Sequence, residues 1–195
     1  LNVHVLIRPR SGDFVYTEQE TEIMADDIRT AVECGVDGVV IGALTPDGDV
    51  DVEVCRRLVE AARGVKNITF HRAFDMCRNP ERALEQVIAL GCNRLLTSGL
   101  ASTAETGIPM LRRLVLQADG RLSVMPGCGV GTGNARRILD ESGAREIHAS
   151  ARSLVPSVMR YRNESVNMGP PGQDEFSRWE TDPQVVRQIR ASLNE

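Results

Sequence analysis

Histidine, arginine and aspartate lie close together in the stretch "ITFHRAFD", which contains His71, Arg72 and Asp75. A histidine beside a carboxylate can transfer a proton, because the carboxylate orients the imidazole and stabilises its charged form. His148, in "EIHAS", is a second candidate near the end of an apolar run. We therefore predict His71, Asp75 and His148 as catalytic residues. The alternative is a buried histidine that only bonds a neighbour, with Arg72 and Asp75 forming a solvated ion pair.

Arginines follow the first and the last of the apolar runs. Arg8 and Arg10 flank Pro9, and Arg152 comes shortly after His148. A guanidinium presents a rigid fork of donors that matches a carboxylate or a phosphate. We predict Arg8, Arg10 and Arg152, together with Arg72, as ligands of a small anion. No fixed spacing links these arginines, so they form a constellation and not a motif.

The run "PGCGVGTGNARRI" is rich in glycine and precedes a segment of helical pattern. Gly127 and Gly129 would let backbone N–H groups approach a ligand, and the N-terminus of the helix, near Asn134, favours negative charge. We predict both glycines as part of the anion site. The alternative is a tight turn between a strand and a helix, because a GxG pattern alone is weakly specific.

Soft metal ions are a further hypothesis, because Cys77 and Cys128 both fall just beyond the ends of apolar runs. Thiolates suit Cu(I) or Zn(II), so this pair is the candidate metal site. The alternative is two unpaired structural thiols. The chain has five cysteines and no CxxC pair, which favours a reducing cytoplasm over a disulfide framework.

The elements that must position these residues alternate regularly along the chain. Short apolar runs, each followed by a segment of helical period, predict strands at 3–9, 37–44, 68–74, 94–99, 121–127 and 146–150. Such alternation is typical of a parallel sheet, either doubly wound or closed as a (β/α)8 barrel. Polar residues such as His71 alternate with apolar ones such as Phe70, which favours a barrel. In a barrel, the candidate residues would gather at the carboxyl ends of the strands.

Composition excludes several classes of partner. The chain has 195 residues, a net charge of −4 and 23 scattered lysines and arginines. Without a basic patch, nucleic acid is not an expected partner. No apolar run reaches the length of a membrane span, so no membrane association is expected. We expect one domain over residues 1–195, with 153–195 as a C-terminal tail that ends in a closing helix after Asp182.

The segments "IRPRSGDF", "ITFHRAFDM", "RLLTSG", "VMPGCGV" and "EIHASAR", in this order and with "MRYRN" after them, resemble the CutC family, whose members are described as copper homeostasis proteins. The resemblance extends from Leu1 to about Met168. It implies a cytoplasmic (β/α)8 barrel with a role in copper binding or tolerance. It also implies two βα units before the first strand seen here, including strands whose cysteines bind Cu(I). Those cysteines have no counterpart among these residues.

Two functions follow as expectations. The first is a CutC-type copper homeostasis protein that binds Cu(I); the second is a barrel enzyme acting on a small carboxylate or phosphate metabolite. A third reading is a truncated product without activity. Six visible strands would leave open sheet edges. We therefore expect either a preceding segment in the natural molecule or a second copy that covers the open edge.

Overall fold

Five short strands form a parallel sheet in the computed structural model, which describes residues 1–163, 165–166, 168–169 and 174–193. They are β1 (His4–Leu6), β2 (Gly38–Ile41), β3 (Asn67–Phe70), β4 (Arg94–Thr97) and β5 (Ser123–Pro126). Strands that follow one another in the sequence are neighbours in the sheet, and all four pairings are parallel. The α/β class and the first five strands are therefore confirmed, although each strand is shorter than predicted.

Helices connect the strands. They are α1 (Glu18–Glu33), α2 (Val52–Ala61), α3 (Pro80–Ala89), α4 (Ile108–Ala118) and α5 (Ala135–Ser142), and α6 (Pro183–Ser192) ends the described chain. Capping residues fix where several of them begin: Thr17 forms a capping box with Glu20, and the side chains of Asp51, Asn79 and Asp182 accept backbone N–H bonds. Within the described residues, none of these helices is long and apolar enough to cross a membrane.

The two faces of the sheet differ in what covers them. Ile41, Phe70 and Leu95 point to one face and are fully buried in cores shared with the helices. Thr69 and His71, which alternate with Phe70 in β3, line a cavity on the other face. Helices on one face and a polar-lined cavity on the other are typical of a barrel-like sheet and not of a doubly wound one.

The region predicted as the sixth strand is not an extended strand. Within 146–150, only His148 pairs with the sheet, through an isolated parallel bridge to Gly127. One bridge is all that the neighbouring chain allows, because β5 ends at Pro126 and the glycine loop turns away after it. The next strands are instead β6 (Arg152–Pro156) and β7 (Ser177–Thr181), which pair antiparallel in a separate sheet. This hairpin was not predicted from the sequence.

The final helix begins where the sequence predicts it, with Asp182 as its cap and Pro183 at its first position. Its apolar side is formed by Val185, Ile189 and Leu193, which pack against Ala135 of α5. Val186 does not belong to this side of the helix and is exposed. The helix therefore packs beside α5.

Candidate functional site

A cavity of about 840 Å³ occupies the inner face of the sheet. Polar side chains from several strands line it, among them His4, Arg8, Thr69, His71, Arg72 and His148. Thr69 and His71 share the inward parity of β3, as the alternation predicts, whereas Arg72 reaches the cavity from the 3-10 helix Arg72–Met76. Two smaller depressions on the outer surface, of about 570 and 390 Å³, contain none of the candidate residues.

His71 lies at the end of β3 and caps the short 3-10 helix Arg72–Met76. Its Nδ1 accepts a hydrogen bond from the backbone N–H of Ala73 at 3.1 Å, so the proton of the neutral ring lies on Nε2. That Nε2 is buried and has no hydrogen-bond partner among the described protein atoms. Burial, with a smaller contribution from nearby Arg8, lowers the pKa of His71 to about 4. At neutral pH the ring is therefore an uncharged donor.

Thr69 repeats this situation two residues earlier on the same strand. Its hydroxyl is buried in the wall of the same cavity and has no partner among the described atoms. A buried polar group without a partner costs about 1–3 kcal/mol, so most such groups are satisfied in native proteins. Two of them on one cavity wall indicate a place where a ligand could supply the missing partners.

Asp75 is held in a dense hydrogen-bond network away from His71. Its carboxylate accepts from Arg72 Nε at 2.7 Å, from the Thr97 hydroxyl, and from both the backbone N–H and the hydroxyl of Ser98. The backbone N–H of Leu100 adds another bond. The proposed contact in which Asp75 orients the histidine is absent, because the 3-10 helix carries Asp75 towards β4. A catalytic role for Asp75 stays a prediction.

Arg8 and Arg10 have different environments although they are two residues apart. The Arg8 guanidinium lies 4.7 Å from the Phe14 ring centroid, and the Phe14 ring lies 5.2 Å from that of His71. Arg8 forms no ion pair with a described carboxylate and lines the cavity. Arg10 does not line it, because the strand ends before Pro9 and the inward parity is lost there.

The loop after β1 is tied down by one carboxylate. Arg10 donates from Nε to Glu20 at 2.6 Å and lies 3.0 Å from the carboxylate of Asp13. The other oxygen of Glu20 accepts from the backbone N–H of Thr17 at 2.8 Å. The bond from Thr17 and then the one from Arg10 hold the pKa of Glu20 below its ordinary value. Arg10 is thus occupied in fixing the loop, and its role as an anion ligand stays a prediction.

The glycine loop packs closely against the cavity wall. A Cβ at Gly127 would lie 2.5 Å from Cδ1 of Leu96, so a larger residue there would require the Leu96 side chain to move. Gly129 has a φ of +68°, and its carbonyl accepts from Asn134. Asn134 also donates to Glu105, which brings a carboxylate to the start of α5. The anion-binding role of Gly127 and Gly129 stays a prediction.

All five cysteines are free thiols. Cys77 packs in the hydrophobic core, and burial raises its pKa to about 11, which disfavours the thiolate that a metal requires. Cys128, with a φ of +95°, directs its thiol to the carbonyl of Ser102. No group of three or more His, Cys, Asp or Glu in the described part of the chain is arranged to hold a metal. The pair Cys77 and Cys128 stays a prediction without support from the geometry.

The remaining candidates separate into two places. His148 lies on the cavity wall, and burial lowers its pKa. Arg152 lies in β6 and does not line the cavity. Two residues that sequence reasoning missed, Arg94 and Glu146, form an ion pair at the opposite end of the cavity. The sequence could have indicated Arg94, because it lies two residues before Leu96 in β4 and its side chain therefore points to the same face of the sheet.

The residues that form this cavity also carry the sequence resemblance. Residues 1–153 match the model of the CutC family. The chain belongs to the CutC family. A CutC family protein of Parabacteroides distasonis is 53% identical over 188 residues, which cover 96% of this chain and 77% of the relative. Proteins of Mus musculus and Homo sapiens, each described as a copper homeostasis protein cutC homolog, are 50% identical over 190 residues, covering 97% of this chain and 70% and 69% of theirs.

Solved structures agree with this membership. A protein of Streptococcus agalactiae described as a copper homeostasis protein CutC superposes with a TM-score of 0.73 at 36% identity, covering 76% of this chain and 72% of that one. A protein described as QR15, an aldolase, gives a TM-score of 0.59 at 20% identity and covers 75% of this chain and 67% of its own. The latter likeness concerns the fold alone.

Proposed function

We propose that this CutC-family protein binds a small anionic metabolite, a carboxylate or a phosphate, in the cavity on the inner face of its sheet. The observation that supports the proposal is the pair of buried polar atoms without partners, Thr69 Oγ1 and His71 Nε2, on a wall that also carries Arg8. Two neutral donors and a cation without a carboxylate partner match the oxygens of an anion.

The roles of these groups follow from their protonation. Because Ala73 occupies Nδ1, His71 can donate from Nε2 but cannot accept a proton there at neutral pH. His71 would therefore hold or polarise an oxygen of the ligand, and Thr69 would donate a second hydrogen bond to it. Proton transfer, if this protein is an enzyme, falls to His148 on the same cavity wall.

Binding of inorganic phosphate and of acetate, measured by calorimetric titration, tests this proposal. Arg8→Gln should weaken binding about tenfold, because it removes the unpaired cation at the cavity. Arg152→Gln is the matched control, since this arginine lies outside the cavity, and it should bind as the wild type does. Equal affinity of the wild type and Arg8→Gln, or no binding of either anion at millimolar concentration, would contradict the proposal.

We also propose a role in copper homeostasis, with Cu(I) as cargo, because the mammalian relatives are named for it. The cavity lining includes His4, His148 and the thioether of Met125, which are types of ligand that Cu(I) accepts, but the described residues do not form a group of three or more His, Cys, Asp or Glu arranged to hold a metal. An anaerobic Cu(I) titration tests this. Stoichiometric binding that weakens in Met125→Leu, but not in Cys34→Ser, supports it; binding that follows only the number of thiols contradicts it.

The closure of the sheet into a complete barrel is also a proposal. We propose that the five parallel strands are part of a (β/α)8 barrel, as one-sided helix packing and the superposition on the CutC structure support. The two further βα units, the single domain over 1–195 and a cytoplasmic setting stay predictions with it. So does the expectation that a second copy covers the open edge of the sheet. Five free cysteines are in keeping with a reducing compartment.

A further inference from the structure

The hairpin of β6 and β7 extends from the rest of the molecule as a two-stranded arm. Its strands contact mainly each other, and most of their residues are exposed. Leu154 and Trp179 lie directly opposite one another, so both side chains occupy the same face of the arm. They are 53% and 62% exposed. The arm thus presents a leucine and the chain's single tryptophan to solvent.

Such an arm is an unusual element for an isolated molecule. A two-stranded sheet is marginally stable in water and gains stability from a third strand or from packing on another surface. Within the described residues this sheet has two strands only, so the outer edge of β7 is unpaired. An unpaired edge with an apolar face is a template for another strand.

The sequence of β7 indicates which strand fits that edge. Reading Ser177–Thr181 against itself in the antiparallel direction, with Trp179 at the centre, places Arg178 opposite Glu180 at both positions. Ser177 then meets Thr181, and Trp179 meets its own copy. Opposite charges and aromatic pairs directly across two strands stabilise a sheet, whereas like charges destabilise it. The strand is complementary to itself.

We infer that β7 pairs antiparallel with β7 of a second copy of this chain, about a two-fold axis that passes between the two Trp179 residues. The product is a four-stranded sheet in the order β6, β7, β7, β6. A two-fold interface of this kind uses the same patch on both copies, as closed dimers do. This β7 interface is separate from the open edge of the large sheet at β1. It is also separate from the cavity, because the cavity is lined by residues of β1 and by none of β6 or β7.

The side chains of the arm suit this arrangement on both faces. One face would carry a continuous apolar row of four residues, Leu154 and Trp179 from each copy, which covers the area that a single arm leaves exposed. The other face carries Arg178 and Glu180, which are already ion-paired within one chain at 2.5 Å. In the dimer, the two intrachain pairs would join into a network of four charges.

Sedimentation velocity of the full chain across a range of concentrations tests the inference, together with the fluorescence of Trp179. A dimer should form, and because Trp179 is the only tryptophan, its emission should shift to shorter wavelength as the protein associates. Trp179→Ser should remain monomeric at concentrations where the wild type is a dimer, and its melting curve should match that of the wild type at concentrations where both are monomeric. A chain that is monomeric at every concentration would overturn the inference.

Charge exchange distinguishes β7 from any other interface. Arg178→Glu alone and Glu180→Arg alone each place like charges across the axis and should weaken the dimer at least about tenfold. The double exchange Arg178→Glu with Glu180→Arg restores complementarity and should restore the dimer. Mixing the two single variants should give a heterodimer. A dimer that is indifferent to all of these changes lies elsewhere, for example at β1, and would refute pairing through β7.

Discussion

Two polar regions lie on either side of the end of β3, and they differ in how their hydrogen bonds are satisfied. On one side, the Asp75 carboxylate accepts bonds from Arg72, Thr97, Ser98 and Leu100. On the other side, Thr69 Oγ1 and His71 Nε2 are buried without a partner among the described atoms, and both residues line the cavity. The first region uses its polar groups to fix the loops, whereas the second leaves two buried polar groups unsatisfied, and the proposed function assigns a ligand to these groups.

This difference corrects a simple interpretation of the stretch "ITFHRAFD". A histidine and an aspartate four residues apart suggest a catalytic pair, but here they face different neighbours. Loss of Asp75 should therefore affect stability first, and loss of Thr69 or His71 should affect binding first. The following changes separate the two regions, beginning with the largest expected effect.

Asp75→Ala should lower the free energy of unfolding by about 4 kcal/mol, because it leaves Arg72 and several buried donors without their acceptor. Urea unfolding measures this. Asp140→Ala is the matched control, since Asp140 forms only an exposed ion pair with Arg136, and it should cost less than about 1 kcal/mol. A loss of equal size in both variants would show that the network around Asp75 does not stabilise the fold.

Acid should destabilise the protein through His71. In the unfolded chain this histidine binds a proton below its ordinary pKa of 6.5, whereas in the folded chain it does so only below about 4. The unfolded state therefore binds more protons in this interval, and stability falls as the pH decreases from about 6.5 to about 4, by up to about 3 kcal/mol. Above pH 6.5 this contribution is constant.

His71→Asn removes that titration while keeping a side-chain acceptor that suits the cap of the 3-10 helix. Its free energy of unfolding, measured between pH 4 and pH 8, should decline less steeply than that of the wild type. His148 also titrates with a lowered pKa, so some slope should remain. Parallel curves for the two proteins would show that His71 is not buried as a neutral ring.

Gly42→Ala should displace His71 without removing it. A Cβ at Gly42 would lie 2.6 Å from two atoms of the imidazole ring, so the ring must move. We expect a loss of about 2 kcal/mol from overpacking and weaker binding of phosphate. Gly131→Ala is the control, since nothing lies within 4 Å of a Cβ there. If the phosphate affinity of Gly42→Ala were unchanged, phosphate binding would not depend on the position of the His71 ring.

Thr69→Val should be neutral or stabilising by about 1 kcal/mol, because it removes a buried hydroxyl that has no partner. The same change at Thr97 should destabilise, since that hydroxyl donates to Asp75. Thermal melts of the two variants therefore compare the two regions with one chemical change. Phosphate affinity should fall in Thr69→Val only. Destabilisation in both variants would mean that Thr69 has a structural role.

Much of the fold could be predicted because it depends on local signals. The Thr17 and Glu20 capping box, Asn79 before Pro80 and the inward parity of His71 all concern residues within a few positions of one another. The predicted strand at 146–150 failed for the opposite reason. Strand formation there requires a neighbour in space, and His148 has only the single bridge to Gly127.

The candidate site was predictable in its location but not in its contacts. Alternation along β3 correctly assigned His71 to the interior, and Thr69, two residues earlier, lines the same cavity. It could not show that the chain turns after Phe70 into a 3-10 helix, which carries Asp75 to β4. Nor could it show that Arg10 would pair with Glu20, because that bond joins a loop to a helix ten residues later.

The carboxylate of Glu20, which binds both Arg10 and the backbone of Thr17, has a kinetic consequence for the cavity. These two bonds hold the loop that contains Phe14 and follows Arg8 in one conformation in the absence of a ligand. Little conformational entropy would then be lost on binding, and no slow ordering step should precede it. Mixing with a ligand should give one exponential phase whose rate rises linearly with ligand concentration. In Glu20→Gln, a second, concentration-independent phase should appear.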